Sequence, residues 1–373
     1  MFVKNRVVFL ATNNESVNVF YMPQMKKLLE NGYEVILICG PGALNQKVQE
    51  ISSQIHIVSN LRRGYSPFND VAAMYKILKI LMVVQPGLII YATPKAALLG
   101  SLISNLIKIE IRVYQIWGVR WQNLSGFTKL VVKYADFLAL KLSTNVIVVS
   151  KSVLEFLENY FDSSKMKVLG NGSTSGIDTG VFFMEDKKNQ QAEKFILGYA
   201  GRISRDKGIE KLIDIFERLT AEHDVRLELV GDLDLTDSIS EDIVQKIQVN
   251  KKIKWINSLS QTNLAQQMRK WDAQIFLSKR EGLGNVILEA GACGIPTFCW
   301  KVVGTIDAIP EFASFLLIDI YNDEVLIQRI KHYLNNPFTK NELNRYSNWY
   351  IDNFNRELVL NNFLEYIETL GRK

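Results

Sequence analysis

The sequence predicts an α/β protein made of two tandem Rossmann-like domains facing across a cleft. Three observations predict it. Short, continuous apolar runs alternate with longer stretches of helical period, as in a parallel sheet covered on both faces. The alternation restarts at residue 195 after a charged interval without periodicity. The 373 residues also exceed what one ordinary core holds.

The elements follow in order. Residues 6–12 (RVVFLAT) read as the first strand and 13–16 (NNES) as the loop after it. Residues 20–32 read as a helix, with Pro23 near its first turn and Asn31-Gly32 as its stop. Residues 33–40 (YEVILICG) form a second strand, closed by Gly40-Pro41-Gly42, and 55–60 a third. Residues 68–84 form a helix, apolar at Val71, Met74, Ile77, Leu78 and Leu81. Strands at 87–93, 112–118 and 145–150 alternate with helices at 96–109, 127–142 and 151–161, and 166–172 closes this half. Residues 173–191 read as a linker.

The second half repeats the scheme. Strands fall at 195–201, 225–232, 252–257 and 273–278, with helices at 208–222, 239–249 and 262–271 between them. A loop at 281–285 leads into a short helix that stops before Gly294-Ile295-Pro296. Later strands fall at 296–304 and 314–318. A last helix near 356–370 is amphipathic, with Leu360, Phe363, Leu364 and Ile367 on its apolar positions. The predicted domains are 1–185 and 186–350, with a C-terminal helix at 351–373 packing back on the first domain.

Composition narrows the function. A hydrophobic content of 47% against 22% charged excludes a largely disordered chain. Cys39, Cys293 and Cys299 have no paired-motif spacing and read as buried free thiols. The apolar run VVFLA is too short for a secretory leader, and no run reaches the roughly 18 residues of a membrane span. Net charge is +5 but uneven: residues 51–150 hold 11 basic against 3 acidic side chains. A basic, apolar region suits an anionic membrane face, and a plain solvated basic surface accounts for the charge equally well. Zinc-finger, RRM and basic-arm signatures are missing, which sets nucleic acid aside.

The stretch 278–296 (SKREGLGNVILEAGACGIP) carries the chemistry. Strand, glycine loop and helix N-terminus make an anion site, where backbone N–H groups and the helix dipole favour negative charge. Glu281 and Glu289 frame it. A diphosphate needs no carboxylate, but the hydroxyls of attached sugars do, so a nucleotide sugar fits both parts. The loop after residues 195–201 supplies cations. Arg202 and Lys207 lie five apart, placed to hold a diphosphate. The plainer reading is a solvated basic loop capped by Asp206, and spacing alone does not separate the two. Gly231-Asp232 ends a strand of the same layer.

These residues carry a resemblance. GYAGRISRDKGIEKLI (198–213), LVGD (229–232) and KREGLGNVILEAGACGIPT (279–297) resemble the donor domain of family 4 glycosyltransferases of the GT-B fold. YATPKAALLG (91–100), RVYQIWGVR (112–120) and GNGSTSGIDTGVF (170–182) resemble a bacterial subgroup that extends polyprenyl-diphosphate-linked surface polysaccharides. The resemblance implies a retaining transferase for a UDP-linked hexose or N-acetylhexosamine in capsule, O-antigen or exopolysaccharide synthesis. Arg202 and Lys207 would neutralise the diphosphate, and Glu281 with Gly282, Leu283, Gly284 and Asn285 would hold the donor sugar. Glu289 would bind the ribose, Trp255 and Ile256 would line the base pocket, and Gly201 and Gly231 would approach the donor. Asn13, Asn14, Lys95, Gly118 and Arg120 would serve the acceptor. No metal or other cofactor is implied, since cations and the helix N-terminus take its place. The protein would work at the cytoplasmic membrane face.

One departure stands out. Many family members carry a histidine where this sequence has Gln115-Ile116-Trp117-Gly118, and His56, His223 and His332 all lie elsewhere. That favours one rival, a nucleotide-sugar-binding subunit without catalysis; a separate rival is another GT-B member, a nucleotide-sugar epimerase.

Overall fold

The computed structural model describes residues 3–44, 46–62, 64, 66–185 and 194–371. It divides into two units, Met1–Gly176 with Glu357–Lys373, and Ile177–Arg356. The divisions differ from the predicted ones. The predicted boundary at 185/186 and residues 186–191 of the predicted linker lie at or outside the described residues.

The first unit holds β1 (Val3–Ala11), β2 (Glu34–Cys39), β3 (Gln54–Ile57), β4 (Pro86–Tyr91), β5 (Ile111–Ile116), β6 (Asn145–Val148) and β7 (Met166–Lys167). They form one sheet in the order β3-β2-β1-β4-β5-β6-β7. All pairs are parallel, with Val7 opposite Val35 and Leu88. Val7, Val8, Phe9 and Leu10 are all fully buried, so both faces of the sheet are covered. The order reverses between β1 and β4, which makes that junction the switch point where such sheets open a crevice.

Its helices are α1 (Asn14–Ser16), α2 (Met22–Glu30), α3 (Gln46–Ile51), α4 (Pro67–Val84), α5 (Pro94–Leu106), α6 (Gly126–Leu142) and α7 (Lys151–Glu158). Residues 14–16, predicted as loop, are helical, and a π turn at Val17–Tyr21 joins them to α2. Pro23 brings no N–H to the helical ladder, and the wider turn ends just before it. The turn seats the Tyr21 ring 4.9 Å from Phe9, and its hydroxyl donates to the Leu10 carbonyl at 3.3 Å.

The second unit holds β8 (Phe195–Ala200), β9 (Val225–Val230), β10 (Ile253–Ile256), β11 (Ala273–Phe276), β12 (Thr297–Trp300) and β13 (Leu317–Ile318). Their order is β10-β9-β8-β11-β12-β13, again all parallel. The switch point lies between β8 and β11. The helices are α8 (Ile209–Thr220), α9 (Glu241–Val249), α10 (Gln261–Met268), α11 (Asn285–Ala292), α12 (Asp323–Asn335) and α13 (Lys340–Phe354). Both units are thus Rossmann-like, as the sequence predicts.

The last helix falls where the sequence predicts it, near 356–370, but residues 351–354 of the predicted C-terminal segment belong to the helix before it. α13 ends at Phe354, and α14 (Arg356–Gly371) starts after Asn355. The break has a local cause. The Ile177 N–H donates to the Phe354 carbonyl at 2.7 Å, and the Arg356 N–H donates to Ile177 at 2.8 Å. This strand-like bridge takes the backbone groups a continuous helix would need. α14 belongs to the first unit, where Phe363, Tyr366 and Ile367 complete the core cluster of Val7, Phe9 and Leu37.

Candidate active site

The site is built on the loops after β8 and β11, the two strands at the second unit's switch point. The first loop, 201–208, ends in Gly208, the N-cap of α8, at φ 74°. A Cβ there would lie 2.3 Å from the Leu277 carbonyl oxygen, so only glycine lets the two loops touch. The Lys279 N–H donates to the Asp206 carbonyl at 3.0 Å, tying the loops together again. The Tyr199 hydroxyl donates to the Arg202 carbonyl at 2.8 Å and fixes the start of the first loop.

This brings Lys207 to Glu281. The Nζ donates to Oε1 at 2.6 Å, and both side chains are largely buried. Arg202 is more open and is held by Asp234 and, at 3.4 Å, by Asp206. Asp206 is half-buried, which opposes its charge. Ser204's hydroxyl and the Lys207 and Arg202 cations outweigh that and keep its carboxyl below the ordinary range. Two cations and three carboxylates therefore share one strand-end surface.

Gly282, Leu283 and Gly284 lead from Glu281 into α11, with Gly284 as its left-handed N-cap at φ 76° and Asn285 as its first residue. Glu289, one turn on, is only partly exposed. Burial pushes its carboxyl up to about 7, and the Arg356 guanidinium pulls the other way. Gly201 and Gly231 directly follow β8 and β9. The Trp255 indole N–H donates to the Gly231 carbonyl at 2.8 Å, and the Gly231 N–H to Ile256 at 2.9 Å. Spacing pointed to neither Asp234 nor Arg356. Each meets its partner only through tertiary folding, Asp234 across two adjacent strand ends.

Two family models match. "Glycosyl transferases group 1" covers residues 182–349 and "Glycosyl transferase 4-like" covers 6–150. The chain thus carries a group 1 and a 4-like glycosyltransferase domain, one in each half. The glycosyltransferase is similar to the Staphylococcus aureus capsular polysaccharide biosynthesis glycosyltransferase CapM, 25% identical over 89% of each chain. It is also similar to the Campylobacter jejuni N,N'-diacetylbacillosaminyl-diphospho-undecaprenol alpha-1,3-N-acetylgalactosaminyltransferase, 22% identical over 87% of this chain and 88% of that one. Anabaena Alr3699/HepE, solved with UDP-glucose, shares the fold at a TM-score of 0.79 and 19% identity, over 98% of this chain and 99% of that one.

The glycosyltransferase's first unit scatters the remaining predicted residues. Asn13 and Asn14 follow β1, and Asn14 is 4% exposed with neither amide atom partnered. Lys95 at the start of α5 is paired with Asp70 at 2.6 Å. Thr93, just before it, shares a 3.0 Å hydrogen bond with Thr12 and sits at φ 62°, a costly conformation for a β-branched residue. Arg120 is exposed, beyond Gly118 at φ 151°. In the stretch 115–118, buried Gln115 donates to Gln24 Oε1 at 2.9 Å and accepts from the Trp117 indole at 3.1 Å. A neutral amide thus closes a buried hydrogen-bond chain there.

Proposed function

We propose that the protein is a retaining glycosyltransferase. It moves a hexose or N-acetylhexosamine from a UDP-sugar to a polyprenyl-diphosphate-linked saccharide, in capsule, O-antigen or exopolysaccharide synthesis at the inner membrane face. The observation that carries the reading is the Lys207–Glu281 pair at the second unit's switch point, with Arg202 beside it. The two capsule and undecaprenol-linked relatives support the acceptor class, and the UDP-glucose complex of a fold neighbour supports the donor.

In this reading the diphosphate replaces the carboxylates now holding Lys207 and Arg202. Both cations then stabilise the charge that builds as the bond from C1 to the diphosphate breaks. The acceptor hydroxyl forms its new bond to C1 on the same face, and its proton goes to the departing diphosphate oxygen. That step needs no histidine base, in keeping with a stretch 115–118 that holds none. Freed from Lys207, Glu281 accepts from the donor sugar's hydroxyls, and Glu289 from the ribose. The acceptor diphosphate is taken by Lys95 and Arg120, and Asn13, Asn14 and Gly118 serve the rest of the acceptor. No metal is required.

A donor panel tests this. UDP-, GDP- and dTDP-sugars are added in EDTA and melting is followed. A UDP-sugar that raises the Tm of the wild type but not of Lys207→Ala supports the donor site. Stabilisation by no nucleotide sugar, or only after divalent metal is restored, would sink the reading in this form.

A further inference from the structure

α4 and α6 each carry two apolar stripes, and only one of each is in the core. In α4 the buried stripe is Ala73, Ile77, Leu81 and Val84. Phe68, Val71, Tyr75 and Met82 form a second stripe at helical spacing, and all four are more than half exposed, Phe68 by 92%. In α6, Val132, Ala135 and Ala139 are buried, while Phe127, Leu130, Tyr134 and Phe137 run along the outside, Phe127 80% exposed. A surface helix ordinarily turns charge to water at such positions. α5 packs against both helices. The three crossovers β3-α4-β4, β4-α5-β5 and β5-α6-β6 step in one direction along the sheet, and right-handedness puts them on one face. Each helix begins at the carboxyl end of the strands, so Phe68 and Phe127 lie at the same end.

Charge decides what covers this face. α4, α5 and α6 contain six lysines and two carboxylates. Neither carboxylate is free: Asp70 is paired with Lys95, and Asp136 is buried and accepts from the Tyr114 hydroxyl. Lys76, Lys79 and Lys141 are exposed among the apolar side chains, and Lys79 lies 4.5 Å over the Tyr75 ring. Lys133 lies 4.0 Å over the Tyr160 ring. Rings with lysines on long stems suit a boundary between hydrocarbon and anionic headgroups. A second copy on this face would set lysine against lysine. Among the described residues, no helix is long and apolar enough to cross a membrane.

We propose that the outer stripes of α4 and α6 dock the protein in the plane of an anionic lipid surface. Phe68, Tyr75, Phe127 and Tyr134 enter the headgroup boundary, and the lysines meet lipid phosphates. The proposal deepens the lipid-linked acceptor reading above and rests on it.

The test is co-sedimentation of the full chain with vesicles of phosphatidylglycerol and phosphatidylcholine in equal parts, and with pure phosphatidylcholine vesicles. Pelleting with the anionic vesicles, weakening as salt rises, is the expected result. Phe68→Ser/Tyr75→Ser/Phe127→Ser/Tyr134→Ser should bind at least about tenfold more weakly with its Tm unchanged. Lys79→Glu/Lys141→Glu should lose roughly fivefold or more per lysine. Three results overturn the proposal: no binding to anionic vesicles, equal binding by the serine variant, or a wild-type dimer that the serine variant abolishes. UDP-sugar thermal shift on the same preparations reads the donor site separately. Protein that binds UDP-sugar but no vesicle loses the docking face alone, and protein that binds vesicles but no nucleotide sugar loses the transferase reading.

Discussion

Lys207 and Glu281 hold each other's charge in a largely buried place, so removing one strands the other. Lys207→Ala should lower stability by about 1–3 kcal/mol, and the double variant with Glu281→Ala should recover part of it, read by urea unfolding. Turnover of the single variant should fall roughly 10²–10³-fold, measured as nucleoside diphosphate release. Glu289 gives a pH signature. Its folded pKa of about 7 lies above the ordinary 4.5. The two states hold the proton equally below 4.5, and the unfolded state gives it up first between 4.5 and 7. Wild-type stability is therefore lost as pH rises through that window. Glu289→Gln should be the more stable protein at pH 8, by about 1–2 kcal/mol after allowance for partial exposure, and the gap should close below pH 4.5. Parallel Tm curves for the two proteins from pH 4 to 8 would contradict this.

At the scale of elements, the contact between the two site loops hangs on one backbone position. Gly208→Ala places a Cβ against the Leu277 carbonyl and forces alanine to φ 74°. It should cost roughly 2 kcal/mol or more and weaken donor binding together with stability. A variant of unchanged Tm would show that the loops do not need this approach. The same scale shows what the sequence made legible. Strand ends followed by glycine loops placed Lys207 and Glu281 in one site, because a parallel sheet aligns all its carboxyl ends. Arg202's partner Asp234 was hidden, since a pairing across 32 residues has no local period. Periodicity marked Val71 and Ile77 alike as apolar positions of one helix, yet Ile77 is buried and Val71 is 66% exposed. Spacing cannot say which of two apolar stripes meets the sheet. The start of the last helix near 356 was legible, but the cause of the break at Asn355 was not, because it is the backbone of residue 177.

At the scale of the molecule, the first unit is not contiguous in sequence. Val359, Leu360, Phe363 and Ile367 of α14 are buried in it, and each such side chain contributes about 1.5–3 kcal/mol. Ending the chain at residue 356 should remove roughly 6–12 kcal/mol from the first unit, as much as a domain's whole stability. Calorimetry should then show one cooperative transition, that of residues 177–356, and the 1–176 portion should be cut readily by protease. Two intact transitions would mean α14 is dispensable.

The same arrangement sets an order on birth at the ribosome. The polypeptide emerges from its amino end, so the sheet of β1 to β7 is made long before the helix that seals it. At about 5–20 residues per second, synthesis of the intervening part takes roughly 10–40 s. Through that interval Val7, Phe9 and Leu37 have no α14 over them, and by its end the second unit has all its residues and can fold. The domain begun first is finished last, and its half-covered sheet is the stage at which a chaperone would find this chain.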